Sequence, residues 1–263
     1  KACKDGNIRN IFFTMWGDNG GETSPFSVLP SMFYVSCLIK GIEDEDEIKA
    51  LFKKTFNVSF DDFMLLDSPN HVTKEKELAT RNPSKYMLYN DVFLGIYDKT
   101  IVGGENKKLK ASSKLLHEAA SRAGEYKYLF DYMASLCDVL EIKYDLGLKT
   151  RKAYPNKEEL KKLIPSYTKL IKRLETFYDV CKQRYEKENK PYGFEVQDIR
   201  LGGLIRRISH CKQRLLDYIN GNVDKIDELL EDVLPVLGWP ISEITRPFYH
   251  NAWSEEVTAC VIG

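Results

Sequence analysis

The chain has 263 residues, which is enough for a sizeable core and one or two domains. Its 39 basic and 39 acidic residues leave no net charge, and no basic stripe indicates a nucleic-acid or membrane partner. No apolar run approaches the length of a membrane span. Composition therefore argues against nucleic-acid-binding and membrane-spanning classes of protein.

The cysteines and histidines show none of the spacings of a disulfide framework or a metal site. The six cysteines are scattered singly, without a Cys-x-x-Cys pair: Cys3, Cys37, Cys137, Cys181, Cys211 and Cys260. The four histidines likewise form no metal-ligand pattern. We therefore predict reduced core thiols, a cytoplasmic location, no metal and no cofactor.

The first residues resemble the end of a helix rather than the start of a protein. Residues 2–7 read as the last helical turn and its C-cap. A buried strand follows almost at once. From this we expect the chain to be the C-terminal piece of a longer protein.

The most informative segment is Ile11 to Glu22. Residues 11–15 are rich in β-branched and aromatic side chains and end at a Gly-rich stop, which predicts a buried strand. Trp16, Asp18 and Glu22 would then lie at its C-terminal end, where α/β proteins place their ligand chemistry. An indole face and carboxylates suit a sugar, which offers an apolar face and a rim of hydroxyl donors. The alternative is an ordinary core strand followed by a solvated turn.

A helix should follow this turn. Ser24 is suited to its N-cap, Pro25 to its first position, and Gly41 to its end. The strand needs neighbours, because its backbone groups require partners on both sides. A second copy, the terminal segment 256–262 or a rearranged partner are the options.

Beyond residue 41 the apolar pattern is predominantly helical. Helices are predicted over 46–56, 60–66 and 84–98, then over 105–148 with a break at Gly124, then over 155–189, 198–219 and 223–237. Residues 67–82 read as a loop. Pro165 should kink or break its helix, Asp198 should cap the next, and Gly221 should end it. Long helices joined by short loops indicate a bundle.

Four segments together resemble glycoside hydrolase family 20, the β-N-acetylhexosaminidases, and its bacterial exo-acting branch in particular. They are Trp-Gly-Asp-Asn-Gly-Gly-Glu-Thr-Ser at 16–24, the stretches 82–91 and 191–204, and the end of the chain at 251–262. The resemblance implies a mainly α chain in which residues 1–41 form the last β/α step of a TIM-type (β/α)8 barrel. A helical domain at 42–240 and an irregular tail at 241–263 with a short strand follow.

The same resemblance implies substrate-assisted, retaining removal of terminal N-acetylhexosamine, GlcNAc or GalNAc, from glycans. An adjacent Asp-Glu pair at the end of an earlier barrel strand performs this chemistry in the family. Acidic neighbours in this chain, as at 43–46 and 227–228, fall on polar helix starts or faces. We therefore predict no catalytic residue in this segment and no activity for it alone.

Binding residues are implied instead. Trp16 would form a wall of the pocket, and Asp18 would accept hydrogen bonds from the sugar hydroxyls O4 and O6. Glu22 would do the same or order the turn. The implied partners are a glycan ending in N-acetylhexosamine, the remainder of the catalytic barrel and a second copy in a homodimer.

The sequence alone allows an alternative function and two roles for one aromatic loop. A non-enzymatic helical interaction or dimerisation domain, whose Trp16 strand docks into a partner, is the alternative function. The loop Tyr192-Gly193-Phe194 lies between two helices, where exposed aromatic residues need a reason. It would serve an interface or reach a pocket.

Overall fold

The structure is a computed structural model that describes residues 2–15, 20–72 and 83–233. These residues are mainly helical, and no β-strand occurs within the three ranges. The α-helices are α1 (Ala2–Asp5), α2 (Leu29–Ile39), α3 (Glu45–Phe56), α4 (Phe60–Met64), α5 (Pro83–Tyr89), α6 (Glu105–Ala120), α7 (Lys127–Lys143), α8 (Leu146–Ala153), α9 (Lys157–Glu188) and α10 (Glu195–Asn220). Short 3-10 helices lie at Pro25–Val28, Leu65–Asn70, Asp98–Thr100, Gly124–Tyr126 and Asp227–Leu229.

The predicted strand at 11–15 is wrong for this chain. These residues are irregular, and their large side chains are exposed, up to 90% at Phe12. A strand needs hydrogen-bonding neighbours, and the described ranges contain none. The final β/α step of a barrel is therefore not shown, although α2 follows the glycine-rich segment as predicted.

The start of the helix after this segment follows the prediction. The Ser24 hydroxyl accepts a hydrogen bond from Phe26 N at 3.1 Å and caps the 3-10 turn that leads into α2. Gly41 follows the end of α2 with a φ of 85°. Much of the apolar stripe is uncovered, because Met32 and Ile39 are exposed. This face of the chain thus offers apolar surface to a neighbour.

The core is formed by four helices that pack in the order α6, α7, α9, α10. Their inward faces carry fully buried side chains: Leu109, Leu116, Phe130, Leu140, Tyr167, Leu174, Phe177, Leu204, Cys211 and Leu215. The predicted break at Gly124 is confirmed, and its φ is 54°. Pro165 does not break α9, because the buried stripe on both sides of it supports the helix despite the lost backbone donor.

The predicted helix over 84–98 ends at Tyr89 instead, because the side chains of the following residues form hydrogen bonds in place of helical backbone ones. Asn90 Oδ1 accepts from Tyr97 N at 3.2 Å, and Asn90 Nδ2 donates to the Asp98 carboxylate at 2.8 Å. Asp91 Oδ1 accepts from the backbone N–H of Phe93 and Leu94. Such local side-chain bonds compete with helix formation.

The last described elements differ from expectation in two places. Helix α10 begins at Glu195 rather than at an Asp198 cap, since Asp198 instead accepts a hydrogen bond from Tyr178 Oη at 2.5 Å. Its predicted end at Gly221 is confirmed. The predicted helix over 223–237 is reduced to a 3-10 turn in its described part, because Arg151 donates to the carbonyls of residues 228, 229 and 231. The tail 241–263 lies outside the described residues.

Three negative findings apply to the described ranges. None of their helices has both the length and the apolar character needed to cross a membrane. No cluster of three or more histidine, cysteine or carboxylate side chains is arranged to hold a metal ion there. The five cysteines within these ranges carry free thiols.

Candidate functional site

Of the three predicted sugar-binding residues, Glu22 is described, whereas Trp16 and Asp18 lie outside the described residues. Glu22 belongs to residues 20–24, which we call the glycine turn. The turn lies against side chains of α5, α7, α9 and α10. The fold thus brings residues 20–24 to residues 83–91 and 191–204, which belong to the other stretches that carry the family resemblance.

The Glu22 carboxylate is bound by two cations. Arg200 Nη1 lies 2.8 Å from Oε1, and Lys85 Nζ lies 2.8 Å from Oε2. The side chains of Glu22, Arg200 and Lys85 are only 19%, 6% and 11% exposed, respectively. Burial lowers the pKa of Lys85, although the neighbouring Glu22 opposes this effect. Because each carboxylate oxygen has a cation, the arrangement suits a residue that orders the turn.

The backbone of the glycine turn is held by three side chains. Gln197 Nε2 donates to Gly20 O at 2.9 Å, Arg184 Nη2 donates to Gly21 O at 2.5 Å, and Tyr132 Oη donates to Glu22 O at 2.9 Å. All three donors belong to well-buried residues. Three successive carbonyls are therefore fixed by three different helices.

A buried ion pair supports the end of the turn. Arg184 Nη1 lies 3.0 Å from Glu188 Oε2, and each side chain is 1% exposed. The Ser24 hydroxyl donates to Glu188 Oε1 at 2.5 Å. Arg184 also lies over the ring of Tyr132, 4.9 Å from its centroid. The residue that caps the following helix is thereby fixed to α9.

Two glycines permit this close approach. Gly20 and Gly21 have φ values of 77° and 62°. A Cβ at Gly20 would lie 2.8 Å from both Arg200 Nη1 and Gln197 Nε2, and a Cβ at Gly21 would lie 3.2 Å from the Tyr185 ring. Both backbone conformation and space therefore require glycine at position 20.

We expect Gly20→Ala to lower protein stability, because the new Cβ displaces Arg200 and Gln197. Strained backbone costs about 1 kcal/mol, and the displaced hydrogen bonds add to this. Gly221→Ala is a matched control, since Gly221 has a φ of 78° and no atom within 4 Å of its Cβ position. Urea denaturation of both variants separates strain from contact. Equal losses in the two variants would contradict the steric role of Gly20.

A cavity of about 300 Å³ runs beside the glycine turn. Its polar wall includes Glu22, Lys85 and Gln197, and its apolar wall includes Leu88 and Phe177. Burial raises the pKa of Tyr89, which also lines the cavity, well above its usual range. The described lining groups are thus suited to holding a ligand or a neighbouring segment, and Tyr89 stays neutral.

Two of the adjacent acidic residues in the sequence have structural roles. Asp44 caps α3 by accepting from Glu47 N at 2.8 Å. Glu228 forms a two-pronged ion pair with Arg214, which lowers the pKa of the carboxylate. Neither carboxylate faces the glycine turn.

The loop 192–194 has mixed surroundings. Phe194 is buried against Tyr178 and Tyr185, whereas Tyr192 is 76% exposed. Gly193 has a φ of 101°, and a Cβ there would lie 2.5 Å from Tyr185 Oη. Tyr185 therefore contacts both this loop and Gly21.

Sequence reasoning missed the residues that hold the turn. They are Lys85, Tyr132, Arg184, Glu188, Gln197 and Arg200. A signal existed for half of them, since Lys85, Gln197 and Arg200 lie in the stretches that carry the family resemblance. Arg184 and Glu188 read as an ordinary i, i+4 pair on a charged helix.

Comparison with known families gives one match. The model of the Glycoside Hydrolase 20C C-terminal domain matches residues 61–243, which is well over half of the chain. No curated protein sequence matches the chain. The side chains of α5, α7, α9 and α10 that hold the glycine turn all lie in the matched stretch, whereas the turn itself precedes it. This chain therefore belongs to glycoside hydrolase family 20 and contains the C-terminal domain of its 20C group.

Proposed function

We propose that the enzyme containing this chain is a β-N-acetylhexosaminidase that removes terminal N-acetylhexosamine from glycans by substrate-assisted, retaining hydrolysis. Family membership supports the glycosidase class. The observation that carries the role of this segment is the glycine turn, whose carboxylate and three carbonyls are bound by the helical domain.

In this proposal the segment binds substrate without performing the chemistry. Trp16 stacks on the terminal sugar, and Asp18 accepts hydrogen bonds from its hydroxyls. Glu22 orders the glycine turn, which follows them in the chain. The catalytic Asp-Glu pair belongs to an earlier strand of the barrel, outside these 263 residues.

The rest of the barrel would cover the apolar surface near the N-terminus. Phe12, Phe13, Met32 and Ile39 are exposed in the described part of the chain. In this proposal the helical domain supports the sugar pocket from behind. The free thiols support a reducing, cytoplasmic setting.

The same exposed surface favours a second candidate, a helical interaction or dimerisation domain without enzymatic activity. The coding sequence upstream of Lys1 discriminates between the two. A strand ending in an adjacent Asp-Glu supports the enzyme, whereas an unrelated upstream domain supports the interaction domain.

We expect Asp18→Ala in the complete enzyme to reduce kcat/KM on a chromogenic N-acetyl-β-glucosaminide by roughly ten- to a hundredfold. A hydrogen bond to a charged group contributes about 1.5–3 kcal/mol, which corresponds to that range. Asp224→Ala, on the exposed segment after α10, is the control and should leave kinetics unchanged. Unchanged kinetics of Asp18→Ala would remove Asp18 from the sugar site.

A further inference from the structure

Two buried cations from different helices converge on the carboxylate of Glu22. Arg200 lies on α10 and Lys85 on α5, and each binds a different carboxylate oxygen at 2.8 Å. We propose that Arg200 and Lys85 are positioning residues of the sugar pocket, which fix Glu22 and through it the glycine turn, which follows Trp16 and Asp18 in the chain. This inference rests on the proposed function and names the side chains that hold the glycine turn in place.

The geometry constrains the carboxylate more than one ion pair would. A single cation leaves the carboxylate free to rotate about the contact, whereas two cations on separate helices fix both oxygens. Surface pairs such as Lys161–Glu158 join neighbours within one helix and have exposed side chains. Such pairs order little. The Glu22 cluster instead joins points that are 178 residues apart in the sequence.

The turn needs this support because its own backbone is permissive. Asn19, Gly20 and Gly21 separate Asp18 from Glu22 in the chain, and glycine backbones are conformationally free. Gln197 and Arg184 bind the carbonyls of these two glycines, and Arg200 and Lys85 bind the next side chain. A group displaced by about 1 Å can cost on the order of a hundredfold in rate. Rigid support of the turn therefore bears directly on sugar binding.

The test uses the complete enzyme and p-nitrophenyl N-acetyl-β-D-glucosaminide. We expect Arg200→Met to reduce kcat/KM about tenfold, with most of the change in KM and in the inhibition constant of N-acetylglucosamine. Arg200→Lys, which retains the charge, should recover part of the loss. Lys85→Met should weaken binding in the same sense. Arg206→Met is the control, because Arg206 is exposed on the same helix.

A double-mutant cycle separates positioning from general structural support. If Arg200 acts through Glu22, Arg200→Met should change kcat/KM by less than about threefold once Glu22→Gln is present. Losses that multiply in Glu22→Gln/Arg200→Met would overturn the inference. The melting temperature of each variant is measured in parallel. If Arg200→Met does not fold, Arg200→Lys and Lys85→Met complete the cycle with Glu22→Gln.

The outcomes distinguish this inference from the function on which it rests. A loss of activity in Asp18→Ala with unchanged kinetics in Arg200→Met and Lys85→Met would overturn the positioning role alone. Unchanged kinetics in Asp18→Ala would overturn the proposed sugar site, whatever the effect of Arg200. We expect kcat/KM to fall in Asp18→Ala, Arg200→Met and Lys85→Met, and the effects of Arg200→Met and Glu22→Gln to be non-additive.

Discussion

Replacing Arg184 with methionine is expected to lower the free energy of unfolding by about 3–5 kcal/mol, the range for removing one partner of a buried ion pair. The change leaves the Glu188 carboxylate, whose side chain is 1% exposed, with neutral described partners, the hydroxyls of Ser24 and Tyr128. It also removes the donor to Gly21 O. The stability of α9 and the order of the glycine turn should therefore fall together.

Urea denaturation followed by far-UV circular dichroism measures this effect. Arg184→Met/Glu188→Gln should recover part of the loss, because the second change removes the unpaired charge. Lys182→Met is the matched control, since Lys182 forms an exposed i, i+4 contact with Glu186 on the same helix. Its stability should be close to that of the original protein. A loss in Arg184→Met no larger than in Lys182→Met would disprove the role of the buried pair.

Arg207→Met is expected to have an effect of similar size, about 3–5 kcal/mol near neutral pH. Arg207 binds Asp91 through Nε at 2.7 Å and Nη2 at 3.1 Å, and the Asp91 side chain is 5% exposed. Burial acts to raise the pKa of Asp91, but the Arg207 bond and charge outweigh it and hold that pKa below its ordinary value. Without Arg207 the buried carboxylate keeps, among the described residues, the backbone donors Phe93 and Leu94.

The pH dependence of this variant has a definite sign. In the original protein the depressed folded-state pKa of Asp91 contributes stability above the unfolded value of 3.8, and this contribution is lost as pH falls through the folded pKa. In Arg207→Met, burial should raise the folded pKa above 3.8, so the variant gains by protonation as the pH falls. The difference in unfolding free energy should therefore be largest near pH 7 and shrink toward pH 4.

Arg214 provides the control for this experiment. Arg207 and Arg214 both lie over the Phe93 ring, at 5.6 and 5.8 Å from its centroid, and both bind a carboxylate through two nitrogens. The partner of Arg214, Glu228, has a side chain that is 25% exposed. Arg214→Met should therefore cost less. Equal costs would show that lost ring contact, rather than an unpaired buried carboxylate, explains the result.

The helices could be predicted wherever apolar periodicity is long and its ends carry local signals. The helix predicted over 155–189 shows the periodicity, because the buried residues of α9 recur at helical spacing, and the structure adds a cap at Asn156. The predicted helix over 84–98 failed because the Asn90 and Asp91 side chains replace helical hydrogen bonds with their own. The strand at 11–15 failed for a different reason. Its pattern describes a strand inside a sheet, and the described residues contain no sheet.

Only part of the candidate site could be predicted from the sequence. The residues of the turn could be found, because a Gly-rich stretch after an apolar run has a local chemical meaning and matches a family pattern. Whether Glu22 binds sugar or orders the turn stayed open, since the answer depends on its neighbours in space. Arg184 and Glu188 were missed because nothing in their local sequence distinguishes them from solvated charges.

By itself, the sequence of this protein determined its mainly helical character, the cap at Ser24, the stop at Gly221 and the resemblance to family 20. These features depend on rules that act over a few residues, such as periodicity and capping. Only the tertiary structure decided that Arg200 and Lys85 bind Glu22 and that Glu188 binds Ser24. The Ser24–Glu188 contact joins residues 164 apart in the sequence, and the Glu22–Arg200 contact joins residues 178 apart. Such contacts form because helix packing buries charged side chains, and a buried charge needs an oppositely charged or hydrogen-bonding partner. Which side chains are buried cannot be predicted from the local sequence pattern alone.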